Sequence, residues 1–280
     1  MTAQILDGKA LALQIRQQLK EQIYKLPSSP CLAVIIVGNN PASEIYVKSK
    51  EKACLDVGIT PKTYALNENT TQEELLNLIN QLNNSNEING ILVQLPLPKH
   101  LDTTTILQSI TPLKDVDGFH PLNSGYLIQN TNQGYIPCTP KGIIRLIKET
   151  NLDLTGLNAV VIGRSQIVGL PIAQLLIQQN CTVTITHSKT KNLPDVCKNA
   201  DIIVSAIGKA EFVTKDYIKP NAIIIDVGIN RTDNGLKGDV CYEDATNLAQ
   251  YVTPVPGGVG PMTIAMLLEN TYEAFLKQHS

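Results

Sequence analysis

Residues 160–171 read VVIGRSQIVGLP. The apolar residues predict a buried strand, and Gly163 and Gly169 bound a turn that leads into a helix. Such a turn gathers free backbone N–H groups at the positive end of a helix, where the pyrophosphate of a dinucleotide binds. Because Ser165 stands where G-x-G-x-x-G has its middle glycine, a purely structural strand–turn–helix unit remains an alternative.

Strand-like and helix-like segments alternate outward from this unit, which predicts an α/β fold with parallel sheets. The predicted strands are CLAVIIVG (31–38), KTYAL (62–66), GILVQL (90–95), NAVVIG (158–163), TVTITH (182–187), DIIVSAIG (201–208) and AIIIDVG (222–228). The first and the last four are predicted to be buried. Predicted helices cover 43–57, 72–82 after a capping box of Thr71 and Glu74, the residues after Asp102, those from Thr139-Pro140 with Thr139 as cap, 168–179 and 264–276.

A change of character near the middle of the chain predicts two domains. Residues 111–140 are rich in Pro, Gly and Asn and show no clear helical period. We place the boundary near residue 120, with a catalytic domain over 1–120 and a Rossmann-like dinucleotide-binding domain over 121–280. We expect the last helix, about 262–280, to pack back on the N-terminal domain.

The composition excludes several classes of function. A net charge of −2 on 280 residues gives no sign of a nucleic-acid partner or an anionic membrane. The N-terminus does not resemble a signal peptide, and no apolar run approaches the roughly 18 residues of a membrane span. The six cysteines are scattered without a C-x-x-C pair, which predicts buried free thiols and neither a disulfide framework nor a metal site. We therefore expect a cytoplasmic protein.

The turn after the second strand of the dinucleotide unit indicates the type of cofactor. NAD-binding units place an acidic residue there for the ribose 2′-hydroxyl, but residues 187–191 read HSKTK. Hydroxyls and cations bind a 2′-phosphate, and Arg164 could close over the same group. This favours NADP over NAD, against the alternative of an ordinary polar loop.

Residues 253–263, TPVPGGVGPMT, hold three prolines and three glycines. At that density we expect neither helix nor strand, but a rigid loop that lets a ligand approach its backbone. A tight turn between domains is the alternative.

Four further positions are candidates for catalysis. Tyr46 and Lys50 are four residues apart on one predicted helix and share a face, although a solvated lysine beside a half-buried tyrosine would give the same spacing. Short-chain dehydrogenases use that spacing too, but their cofactor turn precedes the tyrosine. Gln94 ends a predicted strand, where open α/β sheets bind ligands. Asp117 lies in the boundary segment as a ligand or a turn former, and Asp115 is the alternative for its part.

Five blocks, in order along residues 5–275, carry a resemblance to the bifunctional methylenetetrahydrofolate dehydrogenase/cyclohydrolase family. They are PASEIYVKSK (41–50), QLPLP (94–98), DVDGFHPLNSG (115–125), GRSQIVGLP (163–171) and TPVPGGVGPMT (253–263), which we call the Pro/Gly block. The resemblance implies two α/β domains with the active site in the cleft between them, NADP as cofactor, and a homodimer formed through the cofactor domain. It implies oxidation of 5,10-methylenetetrahydrofolate and hydrolysis of the methenyl product to 10-formyltetrahydrofolate.

The same resemblance implies the site residues. Lys50 would be the acid–base group, oriented by Gln94; Tyr46 would pack on or hydrogen-bond the folate, and Asp117 would accept two pterin N–H bonds. Cofactor contacts would come from Gly163, Arg164, Ser165, Ser188 and Ile229, and further folate contacts from Pro256, Gly257 and Gly258.

Two rival functions remain in view. A two-domain dehydrogenase of the shikimate or amino-acid type would share the layout but not the QLPLP, DVDGF and Pro/Gly blocks. A folate- or nucleotide-binding regulator would not need Tyr46, Lys50, Gln94 and Asp117 together.

Overall fold

The computed structural model describes residues 2–233 and 235–279, in which helices and strands alternate. The strands of this part are β1 (Gln4–Ile5), β2 (Cys31–Val37), β3 (Thr60–Leu66), β4 (Gly90–Val93), β5 (Asn158–Ile162), β6 (Thr182–Thr186), β7 (Ile202–Ser205), β8 (Ile223–Asp226), β9 (Asn230–Thr232), β10 (Gly235–Lys237) and β11 (Tyr251–Val252). The α-helices are α1 (Gly8–Ile23), α2 (Pro41–Val57), α3 (Gln72–Asn84), α4 (Thr103–Ser109), α5 (Pro121–Ile128), α6 (Cys138–Lys148), α7 (Gly169–Gln178), α8 (Leu193–Cys197), α9 (Tyr242–Leu248) and α10 (Val259–His279).

Two parallel sheets confirm the predicted fold class. The larger sheet has the strand order β1-β11-β8-β7-β5-β6, and all its pairs are parallel. The smaller sheet has the order β3-β2-β4, also parallel. Strands β9 and β10 form a separate antiparallel hairpin, which the sequence did not predict.

The chain divides into two compact units that each contain one of these sheets. The six-strand unit comprises the residues up to Ala12 together with Thr139–Thr263. The three-strand unit comprises Leu13–Cys138 and the residues from Ile264 onward. The predicted single boundary near residue 120 differs from this division, because the chain between 120 and 138 groups with the three-strand unit. Most of the last helix also groups with that unit, as do residues 13–120 of the N-terminal domain on which we expect it to pack.

Apolar sequence determines which strands lie in the centre. Every residue of β2, β7 and β8 is buried, as expected for parallel strands covered on both faces. The prediction that TVTITH is a buried strand is wrong: in β6 only Thr186 is buried, and Ile185 is 38% exposed. β6 lies at the edge of its sheet, and no strand of the described residues pairs with its outer side.

Helix starts follow the predicted caps in α3 and α4. Thr71 and Glu74 form the predicted capping box, and Asp102 accepts hydrogen bonds from Thr104 N and Thr105 N. Residues 111–140 were predicted without helix, but α5 begins at Pro121, where proline occupies the first turn and His120 Nδ1 accepts from Leu122 N.

Helices α6 and α10 begin earlier than predicted. α6 begins at Cys138, so Thr139 lies within the helix and is not its cap. α10 begins at Val259, so the end of the Pro/Gly block is helical, against the prediction. Gly260 and Pro261 are tolerated there because N–H groups of the first helical turn have no partner within the helix.

All six cysteines are free thiols, and five are buried, while Cys241 is partly exposed. Within residues 2–233 and 235–279, no helix is long and apolar enough to span a membrane.

Candidate active site

Lys50 and Gln94 meet in the three-strand unit although 44 positions separate them in sequence. Lys50 lies on α2, and Gln94 directly follows β4 at the carboxyl end of the sheet. Lys50 Nζ donates to Gln94 Oε1 at 3.0 Å, and Lys50 is only 9% exposed. Gln94 Nε2 donates to Leu95 O at 2.7 Å, which fixes the orientation of the amide. The structure therefore brings this predicted pair together.

Tyr46 lies one turn before Lys50 on α2 and is 38% exposed. Side chains at i and i+4 of a helix share a face, so the phenol and the ammonium group stand on the same side. The face thus offers an aromatic ring next to a cation.

The two boundary carboxylates have different surroundings. Asp115 is 1% exposed and accepts from His120 N at 2.7 Å and from Asn123 Nδ2 at 2.8 Å, so it holds the turn that leads into α5. Asp117 is half-buried; burial raises its pKa, and the charge of Lys50 and the thiol of Cys138 act in the opposite direction. Asp117 therefore lies close enough to Lys50 for their charges to interact. His120 and Asn123, which donate to Asp115, instead belong to the turn into α5.

The dinucleotide turn of the six-strand unit depends on its two glycines. Gly163 has φ +121, and a Cβ there would lie 2.5 Å from Ala206 O. A Cβ on Gly169 would lie 2.4 Å from Gly163 O. Ser165 Oγ accepts from Val168 N at 3.1 Å and from Gly169 N at 3.3 Å, so its side chain caps α7. The backbone can hold this tight turn only with glycine at both ends.

The predicted phosphate-binding groups follow neighbouring strands. β5 pairs with β6 in parallel, with Ile162 opposite Thr186. The turns that carry Arg164 and Ser188 therefore leave the sheet at the same end, the carboxyl end of its strands. Both residues are exposed. In the second turn, His187 N donates to Thr190 Oγ1 at 2.9 Å, and Lys189 N donates to His187 Nδ1 at 3.1 Å. This end of the sheet, with its exposed cations and hydroxyls, fits the 2′-phosphate of NADP.

The Pro/Gly block is anchored by the N-terminal segment. A Cβ on Gly8 would lie 1.9 Å from Gly258 O, and Lys9 N donates to Gly257 O at 2.9 Å. Gly257 has φ +108, a conformation that side chains rarely adopt. Ile229 is 46% exposed, and its Cδ1 would lie 3.7 Å from a Cβ on Gly260. Two elements of the predicted site, the block and Ile229, therefore adjoin each other within the six-strand unit.

Sequence reasoning missed two buried carboxylates next to these turns, Asp226 and Asp239, and the N-terminal anchor Gly8. The spacing of glycine and aspartate in DVGIN (226–230) and GDV (238–240) is the signal that could have revealed the carboxylates. Among the described residues, no group of three or more His, Cys, Asp or Glu side chains could hold a metal ion.

Comparison with known proteins gives a match over nearly the whole chain. Residues 6–117 match the catalytic domain of tetrahydrofolate dehydrogenase/cyclohydrolase, and residues 137–279 match its NAD(P)-binding domain. The "Bifunctional protein FolD" of Acetivibrio thermocellus is 56% identical over 278 residues, which are 98% of this chain and 97% of that protein.

Two solved structures are also similar. FolD methylenetetrahydrofolate dehydrogenase/cyclohydrolase from Campylobacter jejuni has a TM-score of 0.97 at 50% identity, with 98% of this chain and 99% of that chain covered. The Trypanosoma brucei methylenetetrahydrofolate dehydrogenase-cyclohydrolase, complexed with NADP cofactor and an inhibitor, has a TM-score of 0.94 at 38% identity, with 99% and 98% covered.

Proposed function

This chain belongs to the tetrahydrofolate dehydrogenase/cyclohydrolase family, and we propose that it acts as a bifunctional enzyme of one-carbon folate metabolism. It oxidises 5,10-methylenetetrahydrofolate to 5,10-methenyltetrahydrofolate with NADP and hydrolyses that product to 10-formyltetrahydrofolate. The observation that carries this proposal is the 3.0 Å hydrogen bond from Lys50 to Gln94, which lies within the part that matches the catalytic-domain model.

The oxidation requires mainly that the folate be held in the correct position. A hydride leaves the one-carbon bridge, and the lone pairs of N5 and N10 stabilise the cation that remains, so no general base is required. NADP, when bound, accepts the hydride. The chain contributes by holding the folate in a single orientation, which can account for a large part of a rate enhancement.

The hydrolysis asks for proton transfer. Water adds to the methenyl carbon and loses one proton, which leaves a hydroxyl group; the bond from that carbon to N5 then breaks as the hydroxyl group loses its proton and N5 gains one. The net products are 10-formyltetrahydrofolate and one proton. We assign the transfer to Lys50, because a single amide acceptor, Gln94 Oε1, orients its ammonium group in a site with little exposure.

Asp117 and Tyr46 are the proposed folate contacts in the three-strand unit. A carboxylate accepts two parallel hydrogen bonds well, and the pterin N3–H and 2-amino group provide such a donor pair. Those donors would favour the ionised form of Asp117, whose pKa burial raises. The exposed ring of Tyr46 offers a surface on which the folate can pack.

The proposed cofactor residues lie in the six-strand unit, at the carboxyl end of its sheet. Gly163 and Ser165 shape the turn that would meet the pyrophosphate, and Ile229 would contact the nicotinamide end. Arg164 and Ser188 would take the 2′-phosphate, because they are exposed and leave adjacent strands. The turn over residues 187–191 contains no carboxylate that would repel that phosphate.

Pro256, Gly257 and Gly258 are proposed as further folate contacts. Their support is the shape of the backbone: glycine leaves the chain bare at two adjacent positions, and the contact with Gly8 holds it in place. A bare and fixed backbone lets a planar ligand approach closely.

A homodimer through the edge strand β6 completes the proposal. Ile185 of β6 is 38% exposed and Ile177 of α7 is 50% exposed, so apolar side chains accompany an unpaired strand edge. Isolated edges of this kind pair readily, and a second copy with two-fold symmetry would cover both edges at once. Ile185→Lys should shift the mass measured by light scattering from dimer to monomer, whereas an unchanged mass would remove β6 from the interface.

We also infer a cytoplasmic location. Six free thiols, five of them buried, suit a reducing compartment better than an oxidising one.

A coupled assay tests the function. Purified protein with 5,10-methylenetetrahydrofolate and NADP should form NADPH, and added methenyltetrahydrofolate should lose its absorbance faster than in buffer. NADPH formation from shikimate or an amino acid, without reaction of the folate, would favour the rival dehydrogenases. Binding of NADP and folate without turnover would favour a regulator.

A further inference from the structure

Two buried carboxylates, Asp226 and Asp239, lie in the six-strand unit outside the site residues named so far. Asp239 is 0% exposed and Asp226 is 4% exposed. Within the described part of the chain, the groups that donate to them are all neutral. Placing two carboxylates together in the interior without a cation costs stability, and well-packed apolar side chains would be as stable or more so. Their presence therefore calls for a role in geometry.

Asp239 holds one turn of backbone through consecutive N–H groups. Its Oδ2 accepts from Ile207 N at 2.8 Å and from Gly208 N at 3.1 Å, and its Oδ1 accepts from Lys209 N at 2.8 Å. Three peptide planes in a row are thereby fixed, because rotating any one of them would remove one donor from a buried carboxylate oxygen.

The same carboxylate ties this turn to the next one along the sheet. Asn230 Nδ2 donates to Asp239 Oδ1 at 3.0 Å, and Asn230 directly follows the exposed residue Ile229. The turn 207–209 follows β7, and Ile229 follows β8, so one side chain connects the carboxyl ends of two adjacent strands.

Asp226 in turn holds Asp239. Its carboxylate accepts from Asp239 N at 2.8 Å and from Gly228 N at 2.9 Å. The contact is reciprocal, because a Cβ on Gly228 would lie 2.2 Å from Asp239 Oδ1, and a Cβ on Gly238 would lie 1.8 Å from Asp226 Oδ2. Only glycine at both positions allows the two carboxylates to reach the backbone.

This pair lies beside the dinucleotide turn. A Cβ on Gly163 would lie 2.5 Å from Ala206 O, and Ala206 N donates to Ile162 O at 2.9 Å. Ala206 directly precedes the turn that Asp239 fixes. Open α/β sheets bind their ligands at the carboxyl ends of their strands. The backbone over 207–209 and Ile229 therefore flank the place where a nucleotide that enters at Gly163 must continue.

We propose that Asp239 is a positioning residue for the nicotinamide half of the cofactor, because it fixes turn 207–209 and Asn230 in one arrangement at the carboxyl end of the sheet. The inference rests on the dehydrogenase function proposed above. Asp239 does not touch the reacting atoms; it determines where the backbone that flanks them stands.

The variant Asp239→Asn tests the proposal without a change in volume. An amide can replace only one of the two oxygens as acceptor, and its NH₂ group would face at least two N–H donors. We expect the KM for NADP to rise at least about tenfold, with a weaker affinity for NADP in direct titration. The cyclohydrolase rate, measured without nucleotide, should change by less than about threefold.

A matched control lies at the opposite end of the same sheet, where its strands begin. Asp201 accepts from Asn158 N at 2.9 Å and so links the amino ends of β7 and β5, away from the turn that Asp239 holds. Asp201→Asn should lower thermal stability but leave both the KM for NADP and the cyclohydrolase rate near their wild-type values.

Either of two results would overturn the proposal: an unchanged KM for NADP in folded Asp239→Asn, or a parallel loss of both activities. If Asp239→Asn does not fold, Asn230→Ala decides, since it removes one donor from the same carboxylate at a partly exposed position. It should raise the KM for NADP at least about threefold and spare the cyclohydrolase; an unchanged KM would overturn the proposal. Absence of NADPH formation by the wild-type protein would instead refute the dehydrogenase function.

Discussion

Lys50 Nζ lies 3.0 Å from Gln94 Oε1, and the amide of Gln94 is held by its own hydrogen bond to Leu95 O at 2.7 Å. The lysine is 9% exposed, so a protein amide determines the direction of its ammonium group to a greater extent than bulk water does. An oriented ammonium group can exchange a proton with one defined point in a bound substrate. In the proposed mechanism, this hydrogen bond links the fold of the three-strand unit to the hydrolysis.

Asp117→Ala should depress both activities, because both substrates carry the same pterin ring. Leaving two pterin donors unpaired should lower kcat/KM roughly 30- to 1,000-fold in each reaction. Titration with NADP should give an unchanged affinity. Asp56→Ala, an exposed carboxylate near the end of α2, is the matched control and should retain both activities. A folded Asp117→Ala enzyme with normal folate affinity would show that Asp117 only forms the turn with Gly118.

Arg164→Ala should reduce the preference for NADP over NAD, mainly through the KM for NADP. We expect the wild type to prefer NADP by at least about tenfold, since a charge-assisted bond to phosphate contributes roughly 1.5–3 kcal/mol. Lys198→Ala removes an exposed cation elsewhere in the six-strand unit and should leave the preference intact. Equal values of kcat/KM for the two nucleotides in the wild type would refute the assignment.

Gly8→Ala and Gly125→Ala should change stability in opposite directions. A Cβ on Gly8 would lie 1.9 Å from Gly258 O, so backbone must move, at a cost of about 1–3 kcal/mol. A Cβ on Gly125, within α5, meets no atom within 4 Å, and alanine should stabilise that helix by roughly 0.5–1 kcal/mol. Urea unfolding measures both. Equal or same-sign effects would contradict the close approach of Gly8 to the Pro/Gly block.

The pKa of Asp226 predicts a pH dependence of stability. Burial, with a smaller effect from the charge of Asp239, raises this pKa from 3.8 to about 6, and bonds from backbone N–H groups act against it. Between those values the folded state binds the proton more tightly than the unfolded state, so the contribution of Asp226 to stability falls as the pH rises.

Asp226→Asn isolates this contribution, because the amide stays neutral at every pH. The free energy of unfolding of the wild type, measured relative to this variant, should fall between about pH 4 and about pH 6. Parallel curves for the two proteins over that range would show that the pKa of Asp226 is not raised.

Much of the fold could be predicted because it depends on local sequence. Uninterrupted apolar runs such as Cys31–Val37 become central parallel strands, and the capping box at Thr71 determines where α3 begins. The exposure of β6 could not be predicted in this way, since its place at the edge depends on the order of the strands and not on its own residues.

The candidate site could be predicted in part. Nothing in the spacing of Lys50 and Gln94 indicates that they meet; the resemblance to a family supplied that pair. Asp226 and Asp239 were missed because a carboxylate that accepts from backbone N–H groups produces no periodic pattern in the sequence. The glycines beside them, Gly228 and Gly238, are the local trace of that arrangement.

Comparison of the two activities of Lys50→Met with those of the wild type tests the assignment of Lys50 as the acid–base group. Removing such a group typically costs about 10²–10⁴-fold, so hydrolysis of methenyltetrahydrofolate should fall by that factor. Titration with NADP should give the wild-type affinity, and Lys48→Met, an exposed lysine on the same helix, should hydrolyse the folate normally. Normal hydrolysis by Lys50→Met would contradict the account and remove Lys50 from the mechanism.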